Sequence, residues 1–318
     1  MEAVLGIFSS KGKVNDSTVS LYLESDGISV AGVKRDQMGL ATLQFADRET
    51  FSSVEERNSA LEQLVRRHHL QNSRCVVVLS ADSYQTIQAE MAELPDSERR
   101  DAARWQIRER IDYPPEEAVI DLFEVPPFGS EKKPLTYVVS AQQKLLHDRV
   151  QLIEQCNLSL ESIDIPELAL RNICELFIED DRGVALLLLL EKSGILVIVR
   201  EGILYLVRWL SSGMEDLIPF ADGDYEALTE QLDTIVLEIQ RSFDYCESTF
   251  HLPMVSRLLV AQTQREIPAV ISYLNDYLVT QVEPLSFEGI LAVAGESDQI
   301  QLNRHLLAIG GALRRENN

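Results

Sequence analysis

The sequence predicts an α/β protein in which one plan of strands and helices occurs twice, with a smaller subdomain inserted into the first copy. Three observations lead there. The stretch 184–210 holds three runs rich in Ile, Val and Leu, at 184–190, 195–199 and 203–207, separated by "EKSG" and "REG". Runs of that length, bounded by Gly and charge, read as three antiparallel strands. Side chains along a strand alternate between faces, so an unbroken apolar run calls for cover on both, as in a sheet lying between helices. A membrane helix needs about 20 apolar residues, and Glu191, Lys192, Arg200 and Glu201 interrupt this stretch at far shorter intervals. Second, "LYLESDGISVAG" from Leu21 repeats the pattern of "LLLEKSGILVIV" from Leu188, with Gly27 and Gly194 in equivalent places. Third, both copies continue alike: a third strand ("LATLQFA" from Leu40; "ILYLVRWL" from Ile203), a helix (54–69; 225–248), then a further strand ("CVVVLS" from Cys75; "RLLVAQ" from Arg257). A three-strand meander followed by alternating helix and strand, occurring twice, is the plan of two duplicated ribonuclease-H-like domains.

Taken in order, the chain opens with "MEAVLGIFSSKGKVND", in which "SSKGK" at 9–13 reads as a slightly basic leader. It lacks the long apolar region and cleavage site of a signal peptide, and its "SSKGK" lacks the spacing of a phosphate loop. The first domain is expected over 1–82, completed by about 142–180 and 297–318; the inserted subdomain over 83–141; the second domain over 181–296. Within the insertion, 96–111 reads as a helix with Asp96 or Ser97 as N-cap and Pro114 beyond its end. Ala103, Ile107 and Ile111 recur every four residues as one apolar stripe, beside Arg100, Arg104 and Arg108. Those arginines suit either pairing with nearby acids and solvation, or a clamp on a partner's carboxylates. Strands follow at "AVIDLFEVP" and "LTYVVSA", and Gly310-Gly311 in the terminal helix suggests close helix packing.

Composition narrows function. At 318 residues two domains are the better expectation. A net charge of -22 opposes nucleic acid or an anionic membrane as the main partner. Between 213 and 247 lie ten acidic residues and one basic residue, Arg241, giving either a solvated helix surface or a docking face for a cationic protein. Cys75, Cys156, Cys174 and Cys246 are far apart, without CxxC spacing, and read as buried free thiols in a reducing, cytosolic compartment. The five scattered histidines have no metal-ligand spacing, and GxSxG, HExxH and Walker sequences are missing. No metal, no transmembrane segment and no catalytic residue is expected.

The segments "RWQIRERIDYPPEEAVIDLFEVP" from Arg104, "LIEQCNLSLESIDIPELALRNI" from Leu152, "LEIQRSFDYCES" from Leu237 and "LLAIGGALRRE" from Leu306, taken with the two meanders, resemble the PilM family of type IV pilus-assembly proteins. The likeness is greatest to its MshI-type relatives in the mannose-sensitive haemagglutinin (MSHA) pilus system. It implies an actin-like fold and a cytoplasmic place at the base of a pilus machine, peripheral to the inner membrane through partners. The implied partners are the cytoplasmic tail of a PilN-type inner-membrane protein, which looks like MshJ in this system, and the assembly ATPase. By the same resemblance, the tail lies between the first domain and the inserted subdomain, which makes Trp105, Ile111 and Tyr113 candidate lining residues.

The resemblance also implies a nucleotide cleft in active members: an Asp-x-Gly turn after the first strand of each meander, and a Gly-Gly turn after a late strand. Small residues there let backbone N–H groups reach phosphate oxygens. In this sequence those positions hold Tyr22 and Glu24, then Leu189 and Glu191, and the late turn corresponds to "AQTQREIP" from Ala261, which has no glycine. The expectation is therefore an adaptor with degenerate nucleotide motifs, without cofactor and without enzymatic activity. The alternative is an actin-like protein that retains ATP and nucleotide-dependent assembly, with Asp26-Gly27 as a displaced remnant of the motif.

Overall fold

The computed structural model describes residues 17–91, 94–126, 134–295 and 297–315; the basic leader lies outside them. β1 (Ser17–Leu23), β2 (Gly27–Arg35) and β3 (Ala41–Thr50) form an antiparallel meander. After α1 (Val54–Arg67), whose first turn is capped by the Ser53 hydroxyl, β4 (Arg74–Val78) runs parallel to β1. The chain then forms the inserted subdomain from β5 (Gln85–Ala89), α2 (Asp96–Ile107), β6 (Ala118–Val125) and β7 (Leu135–Gln142), with sheet order β5-β7-β6. It returns through α3 (Gln143–Gln155) to β8 (Ser159–Asp164), parallel to β4.

Beyond α4 (Pro166–Cys174), the second half repeats the plan: β9 (Val184–Leu189), β10 (Gly194–Arg200), β11 (Ile203–Leu210), α5 (Met214–Leu217), α6 (Tyr225–Phe250), β12 (Arg257–Gln262), α7 (Pro268–Tyr277) and β13 (Gln281–Pro284). The chain closes with β14 (Ala292–Val293), α8 (Gln299–Arg304) and α9 (Leu306–Ala312). The strand order β3-β2-β1-β4-β8 of the first sheet, extended by β14 beside β3, matches β11-β10-β9-β12-β13 of the second strand for strand. The duplication read from Gly27 and Gly194 is thus a duplication of topology.

The halves exchange their last helices. α4 packs on β9, β10 and β11 of the second sheet, α9 packs on β1, β2 and β4 of the first, and the two helices pack on each other. One continuous apolar core therefore joins Leu21, Val77 and Ile309 to Ile173, Leu186 and Val197. Gly310 and Gly311 sit where the expectation of close packing put them. A Cβ on Gly310 would lie 2.6 Å from the Ala169 carbonyl carbon and closer still to its oxygen, and one on Gly311 would lie 2.7 Å from Val78 Cγ2.

Two local expectations are corrected. α2 ends at Ile107, four residues before the apolar stripe does, where the Arg110 N–H donates to the Ile107 carbonyl at 2.8 Å and the Arg110 guanidinium donates to Gln88 of β5 at 2.8 Å. Neither Asp96 nor Ser97 is the N-cap, since Pro95 holds that position and the helix starts at Asp96. The stripe itself is real: Ala103, Ile107 and Ile111 are buried with Ile87, Ile120 and Val138 in the subdomain's own core. All four cysteines are buried and free, and burial pushes the Cys75 and Cys246 thiols up to about 12.

Candidate functional site: the cleft between the halves

The turns that follow β1 and β9 face each other across an open cleft of about 1140 Å³. In the first turn, the Glu24 N–H donates to the Gly27 carbonyl at 3.0 Å and closes the hairpin. Arg48, opposite Ser29 in the β2–β3 register, folds over that turn. Its Nε donates to Glu24 Oε2 at 2.9 Å and its Nη2 to Asp26 Oδ1 at 3.0 Å. A Cβ at position 27 would stand 2.5 Å from Arg48 Nη2 and 2.7 Å from the guanidinium carbon. Gly27 thus leaves room for an arginine held between two carboxylates.

The second turn spends its polar groups on protein. The Leu190 N–H donates to the Ser193 carbonyl at 2.9 Å, and the Leu190 and Glu191 carbonyls accept from the N–H groups of Met214 at 2.8 Å and Glu215 at 2.9 Å. Thr263 Oγ1 donates to the Leu189 carbonyl at 2.8 Å. Leu189 is fully buried in β9, so of this pair only Glu191 lines the cleft; Tyr22, almost fully buried, lines it together with Glu24. At the late loop, Gln262 Oε1 accepts from the Ile267 N–H at 2.9 Å. Arg304 of α8 donates from Nε to the Thr263 carbonyl at 2.7 Å and from Nη2 to that of Gln264 at 3.2 Å. The space beside this loop carries side chains where the resemblance implies a bare glycine turn.

Six carboxylates, Glu24, Asp26, Asp47, Glu49, Asp82 and Glu191, line the cleft against the cations Arg48, Lys192 and Arg304. Burial raises the Glu24 pKa above the ordinary carboxylate value, Arg48 works against that rise, and Asp26 and Glu191 add to it. Burial acts upward on Asp47 too, but hydrogen bonds from Arg67 (2.7 Å) and His68 (2.8 Å) outweigh it and hold this carboxyl below its usual range. His305, buried with Nδ1 3.4 Å from Ser29 Oγ, has its pKa pushed down to about 4 by burial and is neutral near pH 7. A phosphate oxygen brought to about 4 Å from either glutamate would be repelled by about 4 kcal/mol at an effective dielectric near 20. Arg48 offers little relief, being already engaged by two acids. Sequence reasoning missed Arg48. The run Asp47-Arg48-Glu49 at the end of an apolar strand was the available signal.

The three candidate groove residues do not share one surface. Trp105 on α2 is 70% exposed with the Arg108 guanidinium 3.7 Å over its ring. Ile111 is buried in the subdomain core, and Tyr113 is half-buried with its hydroxyl 2.8 Å from Ser140 Oγ of β7. The arginine stripe is largely engaged within the subdomain: Arg100 pairs with Asp121 at 3.1 Å, Arg104 with Asp101 at 2.6 Å, and Arg108 lies over Trp105. Among the described residues, no helix is long and apolar enough to cross a membrane.

No family model and no curated protein matches the sequence. Solved structures do. The chain superimposes on a protein of a PilM-PilN type IV pilus biogenesis complex with a TM-score of 0.73 at 19% identity, over 93% of this chain and 97% of that one. The cytoplasmic domain of EpsL, an inner-membrane component of the Vibrio cholerae type II secretion system, gives 0.52 at 12% identity over 95% and 97%. A Bacteroides thetaiotaomicron protein of unknown function with an actin-like ATPase fold gives 0.52 at 8% identity over 93% and 99%. With its two sheets of matching strand order and its exchanged helices, the chain has an actin-like fold made of duplicated ribonuclease-H-like domains.

Proposed function

We propose that this chain is a cytoplasmic adaptor in a type IV pilus assembly platform of the MSHA kind, that it holds the cytoplasmic tail of a PilN-like (MshJ-like) inner-membrane protein, and that it works without nucleotide and without catalysis. The observation that carries the reading is the charge that lines the cleft: Arg48 bridges Glu24 and Asp26 where a phosphate-binding turn would need open backbone N–H groups, and Glu191 faces them. The overall likeness to the PilM-PilN complex, across nearly the whole of both chains, supports the pilus setting and the kind of partner. The assembly ATPase is a second candidate partner on the same ground.

The experiment is a pair of calorimetric titrations of the purified chain. Mg-ATP is expected to give no saturable heat, and a synthetic peptide of the PilN-like cytoplasmic tail is expected to bind. Trp105→Ala, at an exposed position, is expected to weaken peptide binding without changing the thermal melt. Micromolar binding of Mg-ATP would overturn the nucleotide-free reading and favour an ATP-dependent actin-like protein; tail binding unchanged in Trp105→Ala would remove that residue from the groove.

A further inference from the structure

Three of the large apolar side chains that reach solvent converge on one face of the second half: Leu237 of α6 (45% exposed), Tyr277 at the end of α7 (54%) and Val279 just beyond it (90%). The face is built. Gln240 Nε2 donates to the Tyr277 carbonyl at 3.1 Å, the Tyr277 and Tyr273 rings lie 4.5 Å apart, and the Tyr273 hydroxyl donates to Asp233 at 2.7 Å. Asp233, Leu237 and Gln240 follow one another at helical spacing, so these contacts tie the strip of α6 that carries Leu237 to α7. Leu278 turns inward while Tyr277 and Val279 stay outside. The neighbouring sheet edge is closed: Asn275 accepts from the Val282 N–H at 2.9 Å and donates to the Val282 carbonyl at 2.7 Å, filling the outer positions of β13. A ligand here is therefore recognised by side chains, without strand addition.

The charge around the strip is of one sign. Glu230, Asp276 and Asp244 are exposed, and the neighbouring cation Arg241 is paired with Glu238, which also holds Arg208. We propose that this face docks an amphipathic, basic segment of a protein partner, its apolar side covering Leu237, Tyr277 and Val279 and its Lys or Arg residues meeting Glu230, Asp233 and Asp276. Among these side chains Tyr277 is of the type that anchors protein interfaces, and a polar, charged rim around an apolar centre is their usual layout. The same carboxylates repel nucleic acid and anionic lipid. The inference goes beyond the tail-binding reading and does not depend on it, since the inserted subdomain contributes no residue to this face.

The test uses the full chain and a labelled helical peptide of Leu and Lys in amphipathic spacing, read by fluorescence anisotropy and by hydrogen exchange. Saturable binding is expected, weakened about tenfold or more by Val279→Asp and by Leu237→Asp and weakened by added salt, with protection confined to α6 and α7. Trp105→Ala is expected to bind this peptide like the parent chain, which separates failure here from failure of the tail-binding reading. The proposal is overturned by lack of binding, by equal affinity in the variants, or by protection over the cleft or α2 instead. It is equally overturned if phosphatidylglycerol vesicles protect the same face, or if the face proves to be a self-association surface that Val279→Asp dissolves.

Discussion

Gly310→Ala adds one methyl group where α9 crosses α4, and its effect can be worked from the structure. The new Cβ would stand 2.6 Å from the Ala169 carbonyl carbon, and the atoms it meets are main chain, which no rotamer change can move. α4 is hemmed in, with Leu168, Ala169, Leu170, Ile173 and Cys174 all buried. Asn172 Nδ2 also donates to the Gly310 carbonyl at 2.9 Å, so separating the helices strains a buried hydrogen bond as well. Overpacking in a close-packed core costs about 1–3 kcal/mol, occasionally more, and a backbone clash belongs at the upper end. Replacing Gly by Ala inside a helix returns about 1 kcal/mol. The expected net loss is about 2 kcal/mol, or a drop in Tm of about 3 °C for a chain of this size. Urea unfolding followed by circular dichroism measures it, with Gly223→Ala as control because a Cβ there meets nothing within 4 Å. If Gly310→Ala proves as stable as that control, the helices are not in the close contact described, and the exchange of helices between halves loses its main support.

Other outcomes follow from the buried charges. His305, whose pKa falls from 6.5 to about 4 on folding, leaves the unfolded chain holding the extra proton between those values; the stability it contributes is complete above about pH 6.5 and is lost as pH falls toward 4, by about 3 kcal/mol in all. His305→Gln should flatten that acid limb in urea midpoints taken from pH 4 to 7. Glu167 has the opposite sign: burial raises its folded pKa, so the native state holds the extra proton and stability declines as pH rises through the window above the ordinary carboxylate value. The stability of the parent chain relative to Glu167→Gln should therefore shrink with rising pH. Arg48→Ala should cost about 1 kcal/mol, the discounted value of a partly exposed pair, and Arg48→Lys should restore little of it because one ammonium lacks the fork that reaches two carboxylates.

Most of the architecture was legible in local pattern. Unbroken Ile-Val-Leu runs at 184–207, and their echo from Leu21, mark strands covered on both faces, and the order of elements after them fixes the duplication. β5 escaped because "QTIQA" turns only Ile87 and Ala89 inward, too few for an alternation to stand out. The end of α2 escaped because the stripe continues through Ile111 after the helix has stopped; that side chain enters the same core from a turn. Within the cleft, the carboxylates at Glu24 and Glu191 were visible from the repeat. Arg48, 24 residues beyond Glu24, was not, because its reach over the first turn depends on the β2–β3 pairing and on the missing side chain at Gly27. The pairing of α4 with α9 joins residues more than 130 positions apart, as the hydrogen bond from Asn172 to Gly310 does, and no periodicity records such a contact.

The exchanged helices also explain how a two-lobed protein keeps its shape with repulsive groups lining its cleft. Glu24 and Glu191 act unfavourably on each other across the gap. The link comes from below the cleft. Glu167, in the first turn of α4, is fully buried and accepts the Tyr84 hydroxyl of the first half at 2.6 Å and Trp209 Nε1 of β11 in the second half at 3.2 Å. Within the first half, Arg314, just past α9, holds the buried Asp164 at the end of β8 at 2.8 Å. Both carboxylates are satisfied by partners distant in sequence, and removing one partner leaves a buried acid exposed to its full desolvation cost. Relative motion of the halves would break the two Glu167 bonds as well as open the shared apolar core, so the lobes are tied together at α4.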